Sequence, residues 1–286
     1  MLFSGGFRAM DTAIDVLVED ARPRPDVVMS VRLLFEQQEQ RFSRFRPASL
    51  LAQLNAGATV GEPLFVRACH MAVEAHTFTG GRFNPMILPA LREAGYGATF
   101  ASVTGGAPRA QEVPTPGDAL VFGAEGVRLA NGALDLGGIV KGWTVDLAIE
   151  QFGGGAAGLF VNAGGDIRCT GGEGGAAGWD AAVETPGGTI AWTGRLLGAL
   201  ATSTVARRRW NTAAGGVAHH LVDPATGLPA VSPFVQVSAW ADETWRAEAW
   251  AKAVIIGGEA AAGQAAAAGI RLLAIRDGSE EPVAYG

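Results

Sequence analysis

Apolar and polar positions alternate with two different periods along this chain. Residues Ala13–Glu19 alternate singly, which predicts a strand. Apolar residues then recur at helical spacing, which predicts helices over Asp26–Phe42, Pro63–Thr77 and Pro85–Ala94. The first third of the chain is therefore predicted to be mainly helical.

After Thr104 the pattern changes to short apolar runs, most of them separated by glycine-rich turns. The predicted strands are Leu120–Phe122, Val127–Leu129, Leu159–Asn162, Ile167–Thr170, Trp179–Glu184, Thr189–Trp192 and Ala199–Thr202. The C-terminal part is predicted to contain a strand, two helices and a last strand. These are Phe234–Trp240, Ala241–Ile256, Glu259–Ala268 and Arg271–Ile275.

This order of elements is mixed and lacks the regular alternation of strands and helices that a parallel sheet requires. It predicts an α+β fold with largely antiparallel sheets packed with helices. Neither a repeat period nor a clear internal boundary is visible, so we predict one domain over residues 1–286.

Composition excludes several classes of function. A net charge of −6, with lysine and arginine scattered, argues against general nucleic-acid binding. No window approaches the roughly 20 apolar residues of a membrane helix, so we expect no membrane insertion. The N-terminal residues lack the pattern of a signal peptide and a lipidation cysteine, which favours a cytoplasmic protein.

The stretch 133–144 carries the most informative chemistry. A short apolar strand leads to Asp135, a Gly-Gly turn follows, and Lys141 lies near the start of a predicted helix, Gly142–Phe152. A helix N-terminus, a glycine backbone that a phosphate can approach closely and a lysine are suited to binding phosphate. The Asp135 carboxylate could bind a cation or a hydroxyl group. The alternative is a structural corner without ligand, because the spacing is not that of a P-loop.

A second candidate site surrounds His220. This histidine lies on a predicted strand that ends at Asp223, before a turn of sequence Asp-Pro-Ala-Thr-Gly. It could act as a general base, or it could be a structural residue beside the turn. Ser203 could complete a hydrolase triad with His220 and Asp223, but no Gly-x-Ser-x-Gly elbow surrounds it.

Two further groups of residues have both a structural and a functional interpretation. Glu248 and Lys252 are four residues apart on a predicted helix, so they form either a surface ion pair or part of a site. Phe45 lies between two arginines, where it could stack on a flat ring near phosphate or anchor the end of a helix.

Together these segments resemble the ApbE family, the FAD:protein FMN transferases. The resemblance begins at Phe7-Arg8-Ala9-Met10-Asp11-Thr12 and continues to the helix that ends near Gly258. Its most specific blocks are Asp-Leu-Gly-Gly-Ile-Val-Lys-Gly and His-Leu-Val-Asp-Pro-Ala-Thr-Gly. Two other blocks precede both of them, Phe-Ser-Arg-Phe-Arg-Pro-Ala-Ser and Gly-Gly-Arg-Phe-Asn-Pro. Two more lie between them, Val-Asn-Ala-Gly-Gly-Asp and Ala-Thr-Ser.

The resemblance implies a T-fold-like domain, a substrate, a metal and a partner. Such an enzyme splits FAD, attaches FMN to a Thr or Ser hydroxyl of a target flavoprotein and releases AMP, with Mg²⁺. The implied FAD contacts are Met10, Phe45, Phe83, Asp135, Lys141, Thr202 and Ser203. His220 would assist deprotonation of the hydroxyl, steadied by Asp223.

The same resemblance places a metal at Gly138, through its carbonyl, and at positions 248 and 252. The family usually has Asp and Thr at these two positions, where this chain has Glu248 and Lys252. An ammonium has no lone pair for a metal. In one alternative Mg²⁺ binds through Glu248, the Gly138 carbonyl, phosphate and water, with Lys252 turned away or touching phosphate. In the other, Lys252 replaces part of the charge of the ion and leaves a weak metal site.

Other substitutions affect the implied flavin region. Asp11 stands where the family usually has Gly, and Asn84 and Met86 replace an Asp and a Thr. The alternatives to a transferase are a non-catalytic FAD-binding protein and an FAD pyrophosphatase.

Overall fold

This computed structural model describes residues 1–286, except for the burial of Gly175. The helices are α1 (Pro25–Phe42), α2 (Leu50–Asn55), α3 (Pro63–Phe78), α4 (Leu88–Glu93), α5 (Pro116–Ala119), α6 (Val140–Phe152) and α7 (Thr244–Ala267). The strands of the N-terminal half are β1 (Leu2–Ala9), β2 (Thr12–Glu19), β3 (Leu120–Gly123) and β4 (Gly126–Leu129). The later strands are β5 (Gly158–Ala163), β6 (Asp166–Gly171), β7 (Trp179–Glu184), β8 (Ile190–Leu196), β9 (Gly198–Thr204), β10 (Arg209–Asn211), β11 (Val217–His219), β12 (Val222–Asp223), β13 (Leu228–Pro229), β14 (Phe234–Ala241), β15 (Arg271–Arg276) and β16 (Pro282–Tyr285).

The centre of the fold is an eight-stranded sheet in the order β1-β2-β5-β6-β9-β14-β15-β16. Every neighbouring pair in this sheet is antiparallel. The prediction of an α+β fold with largely antiparallel sheets is therefore confirmed. Four separate two-stranded hairpins accompany the main sheet: β3-β4, β7-β8, β10-β11 and β12-β13.

Helices α6 and α7 pack against the middle strands of the sheet. Trp143 of α6 is buried among Phe42 and Phe65, which come from α1 and α3. The single alternation of β2 places Ile14, Val16 and Val18 in the same core, as expected for a strand with one buried face.

Two differences from the predicted elements have local causes. Strand β1 was not predicted, because Gly5 and Gly6 interrupt its apolar alternation. Gly5 lies under α1, where an added Cβ would be 2.7 Å from Val28 Cγ1. The predicted helices Ala241–Ile256 and Glu259–Ala268 form one element, α7, with a kink at Gly258.

Gly258 has φ 59° and ψ −144°, a conformation that is almost restricted to glycine. The kink divides α7 into a first half that carries Glu248 and Lys252 and an alanine-rich second half. No helix in the part of the chain that the structure describes is long and apolar enough to cross a membrane.

A buried carboxylate connects α6 to the start of α7. Asp146 is fully buried, and it accepts hydrogen bonds from the backbone N–H groups of Thr244 at 2.8 Å and Trp245 at 3.1 Å. Arg168 also donates to it at 3.0 Å. Burial raises the pKa of Asp146 to about 6, whereas these donors favour the ionised form. Asp146 therefore fixes the position at which α7 begins.

Replacing Asp146 with alanine removes the acceptor of two helix N–H groups and the buried partner of Arg168. We expect the free energy of unfolding in urea to fall by about 3 kcal/mol, as when one member of a buried pair is removed. Asp180→Ala is the matched control, because Asp180 pairs with Arg195 while 77% exposed. Such a surface pair contributes less than about 1 kcal/mol. Equal losses in the two variants would contradict the assigned role.

Candidate active site

A cavity of about 620 Å³ opens beside the N-terminal half of α7. Its lining comes from segments far apart in the sequence: the β1-β2 turn, the loop after α1, the 83–87 segment, the corner before α6, residues 208 and 220–222, and α7. The predicted site residues that line it are Met10, Phe45, Phe83, Asp135, Gly138, Lys141, His220 and Lys252. The fold thus brings most of the predicted site together.

The lining separates into aromatic and charged parts. The aromatic residues are Phe42, Phe45, Phe83 and Tyr96. The cationic residues, which exceed the carboxylates, are Arg8, Arg44, Arg46, Lys141, Arg208 and Lys252. The carboxylates on the lining are Asp11, Glu39 and Asp135. A cavity of this volume with aromatic and cationic walls suits a flat-ringed, anionic ligand.

The turn that carries Met10 is backbone-strained. Met10 and Asp11 form the two-residue connection between β1 and β2, with φ of 50° and 59°. Side chains other than Gly, Asn and Asp rarely adopt this left-handed conformation. The Met10 N–H donates to Glu39 Oε2 at 3.3 Å, which ties the turn to α1.

Asp135 is held by an arginine that sequence reasoning did not assign to the site. Arg44 Nε lies 3.1 Å from Asp135 Oδ2, and the N–H of Gly137 donates to Oδ1 at 2.7 Å. The Arg44 guanidinium itself lies over the rings of both Phe45 and Tyr96, at 4.5 and 4.3 Å from their centroids. Two signals in the sequence pointed to Arg44: it is next to Phe45, and it lies inside a block that resembles the family.

Lys141 lies in the first turn of α6, one residue inside the helix. Its ammonium contacts the buried carboxylate of Asp166 and donates to the carbonyl of Ala163 at 3.1 Å. Burial lowers the pKa of Lys141 to about 7, against the attraction of the Glu248 carboxylate. The direct contact with Asp166 favours the ammonium form, so Lys141 is a cation while this pair exists. Asp166 is a second residue that sequence reasoning did not assign.

Glu248 lies behind the cavity wall and does not line it. Only 1% of its side chain is exposed, and Oε2 accepts the N–H of Gly142 at 3.0 Å. Lys252 Nζ donates to Oε1 at 2.8 Å. The predicted pair therefore exists, and it is buried beside the cavity and is not the surface ion pair that was the alternative.

Gly138 is in contact with two of the other predicted residues. A Cβ added there would lie 2.7 Å from Phe83 Cε2 and 3.7 Å from Lys252 Cδ. Glycine at this position lets the Phe83 ring and the Lys252 chain approach the corner before α6.

His220 lies between β11 and β12, and not on a continuous strand as predicted. It lines the cavity, and its Nδ1 is buried without a hydrogen-bond partner among the described residues. Burial lowers the pKa of His220 well below its usual value, and the positive charges of Arg208 and Lys252, as well as His219, act in the same direction. The imidazole is therefore neutral at pH 7 and can accept a proton.

The predicted support of His220 by Asp223 is wrong. Asp223 Oδ1 accepts the N–H of Ala225 at 2.9 Å, and its backbone carbonyl accepts that of Gly227 at 2.8 Å. The carboxylate is used by the Asp-Pro-Ala-Thr-Gly turn, which is the common local role of an aspartate before such a turn.

The hydroxyl groups of Thr202 and Ser203 are not on the cavity wall as the structure describes it. Thr202 Oγ1 is hydrogen-bonded to Ser238 Oγ at 2.8 Å on the neighbouring strand β14, and Ser203 is buried within β9. Their contact with a ligand stays a prediction, and no hydrogen bonds join Ser203, His220 and Asp223 into a triad among the described residues.

The side chains at the predicted metal position do not fit a divalent ion. Both oxygens of Glu248 already accept hydrogen bonds, and the ammonium of Lys252 cannot ligate. Across the described part of the chain, no three His, Cys, Asp or Glu side chains are grouped as a metal site would require. Of the two side chains that the sequence resemblance implied, Glu248 is thus paired with an ammonium group and Lys252 cannot be a ligand.

The sequence and the fold match known proteins over most of the chain. The family model described as the ApbE family matches residues 10–274, and this chain belongs to that family. The FAD:protein FMN transferase of Treponema pallidum is 29% identical over 279 residues, which cover 86% of this chain and 76% of that protein.

Two solved structures share the fold. The ApbE protein of Thermotoga maritima matches with a TM-score of 0.87 and 22% identity, over 98% of this chain and 96% of that one. The apo form of the flavinyl transferase ApbE of Pseudomonas stutzeri matches with a TM-score of 0.83 and 20% identity, over 99% and 94% of the two chains.

Replacing Gly142 with alanine should disturb the contact of α6 with α7. The added Cβ would lie 2.9 Å from Glu248 Oε2 and 3.0 Å from backbone atoms of Thr244 and Trp245. We expect a loss of about 1–3 kcal/mol in the free energy of unfolding, since overpacked atoms force the backbone apart. Gly154→Ala is the control, because an added Cβ there meets nothing within 4 Å. A Gly142→Ala variant as stable as the control would refute the close contact.

Proposed function

We propose that this chain is an FAD:protein FMN transferase. It cleaves the pyrophosphate of FAD, attaches FMN through its phosphate to a Thr or Ser hydroxyl of a target flavoprotein, and releases AMP. The observation that carries the proposal is a single cavity that joins an aromatic wall, a cationic wall and a neutral histidine. Membership of the ApbE family and the name of the Treponema relative support the same activity.

The flavin ring belongs at the aromatic part of this cavity. Phe45, Phe83 and Tyr96 offer faces and edges against which a flat ring can stack. Met10 reaches the same cavity from the strained turn between β1 and β2.

The pyrophosphate belongs at the cationic part. Lys141 is at the N-terminal end of α6, where the helix dipole and backbone N–H groups attract anions. Asp135 is already neutralised by Arg44, so it does not repel phosphate as an isolated carboxylate would. Arg208 adds a further positive charge to the lining near His220.

The reaction is a displacement at the phosphorus on the FMN side of the pyrophosphate. The acceptor hydroxyl oxygen forms a bond to this phosphorus while the bond from phosphorus to the AMP oxygen breaks. His220 takes the proton of the hydroxyl group, and AMP leaves as an anion stabilised by the cationic wall. The proton then passes from His220 to solvent. A positioned base of this kind contributes about 10²–10⁴ in rate.

Mass spectrometry of a target flavoprotein domain, incubated with the enzyme and FAD, tests the proposal. We expect a covalent FMN adduct together with an equal amount of AMP. His220→Ala should reduce the rate of adduct formation by about 10²–10⁴, with FAD affinity changed little. Free FMN and AMP without adduct would identify a pyrophosphatase instead, and FAD retained without AMP a binding protein.

The pH dependence of transfer follows from the environment of His220. Its pKa lies well below 6.5 in the free protein, since burial and the charges of Arg208, Lys252 and neighbouring His219 disfavour the imidazolium form. The base form therefore persists on acidification, and kcat/KM for FAD should stay on its plateau at pH 6.5. Arg208→Gln should move the acid limb to higher pH, because one repelling charge is lost. A wild-type acid limb with its midpoint above pH 6.5 would contradict this assignment.

A further inference from the structure

We propose that the ammonium of Lys252 serves as a built-in cation for the pyrophosphate, so that this protein binds FAD without a divalent metal ion. The proposal rests on the proposed function, because it assigns the FAD pyrophosphate to the same cavity. Lys252 lines the cavity, whereas Glu248 lies behind it. The lysine side chain is 14% exposed and the glutamate 1%, so the lysine covers the carboxylate on the cavity side.

Both oxygens of the Glu248 carboxylate accept a hydrogen bond in this arrangement, and an ammonium group occupies its cavity side. Oε1 accepts from Lys252 Nζ at 2.8 Å, and Oε2 accepts from the backbone N–H of Gly142 at 3.0 Å. Lys141 Nζ is a second cation at 3.9 Å from Oε1. A metal ion would have to displace one ammonium and remain close to another. Like charges this close repel strongly in a partly buried site.

The other carboxylates near the corner are also paired with cations. Asp135 pairs with Arg44, and Asp166 pairs with Lys141. Mg²⁺ in proteins is held by one or two carboxylates together with water and substrate phosphates. Here each nearby carboxylate already has its positive partner, so the protein offers no unpaired negative charge for the ion.

Lys252 can reach the ligand while it remains bound to Glu248. An ammonium has three N–H donors, and the structure gives one of them to Glu248. The Lys252 chain passes Gly138, with Cδ 3.7 Å from the place of a Cβ there. The Lys252 side chain thus runs beside the Gly-Gly corner that precedes Lys141. Glu248 acts as a positioning residue, since Gly142 fixes one of its oxygens and the other orients the ammonium.

Metal binding and FAD binding can be measured without turnover. Mn²⁺ is the probe, titrated into the wild-type protein with and without FAD and followed by electron paramagnetic resonance. We expect no bound Mn²⁺ at an equimolar ratio, and the same FAD affinity by isothermal titration calorimetry in EDTA as in Mg²⁺. These measurements need no variant, so they hold even if a substitution impairs folding.

Two substitutions of Lys252 test the assigned contact. Lys252→Met should weaken FAD binding about 10- to 100-fold, as expected for a lost hydrogen bond to a charged group. Riboflavin, which has no phosphate, should bind with less than about 2-fold change, because the lost hydrogen bond is to phosphate. Lys252→Thr provides an oxygen ligand and uncovers Glu248, so it should bind Mn²⁺ and regain FAD affinity with it. Arg32→Met is the control, because Arg32 pairs with Glu36 at an exposed position of α1 and neither residue lines the cavity.

The outcomes separate this proposal from the proposed function. Stoichiometric Mn²⁺ on the wild type, or FAD affinity that appears only with a divalent ion, would overturn the role of Lys252 and leave the transferase intact. Equal weakening of FAD and riboflavin in Lys252→Met would also overturn it. If the wild type bound FAD neither in EDTA nor in Mg²⁺, both proposals would fall.

Discussion

The close crossing of α6 over the start of α7 is the contact on which the site depends. Gly142 permits it, because any side chain there would meet backbone atoms of Thr244 and Trp245. Asp146, one turn further along α6, accepts the N–H groups of the same two residues. One glycine and one carboxylate on the same helix thus set the distance and the direction of α7. Lys141 and Lys252 face the same cavity as a consequence.

Charge pairing is the second constraint, and it follows from the burial of this crossing. Asp135, Asp166 and Glu248 are each held by a cation, from Arg44, Lys141 and Lys252 respectively. An unpaired ion at such depth would cost several kcal/mol, which pairing largely offsets. The pairs leave the cavity wall with more positive than negative side chains. The excess of positive side chains that suits a phosphate ligand therefore follows from the ion pairs that offset the desolvation of the buried carboxylates.

The sequence predicted the elements with strong periodicity and missed those where glycine replaces apolar residues. Strand β1 was missed because Gly5 and Gly6 break its apolar alternation. The packing of α1 against this strand leaves no signal in the local sequence. The local blocks predicted most of the cavity wall, including Met10 and His220. The partners Arg44 and Asp166 were missed because a pairing over long sequence separation has no local signature. Asp223 was misassigned because its own turn competes successfully for the carboxylate.

The kink at Gly258 makes α7 two structural modules with separate tolerances. The first half carries Glu248 and Lys252, and its contact with α6 fixes its position. The second half packs its alanines near β14 and β15. Because the backbone at Gly258 is not helical, a shift or a change of length beyond this residue is not transmitted as rotation to Lys252. The alanine-rich half can therefore change in sequence without moving Lys252. The half before the glycine is confined by the geometry of the ion pairs.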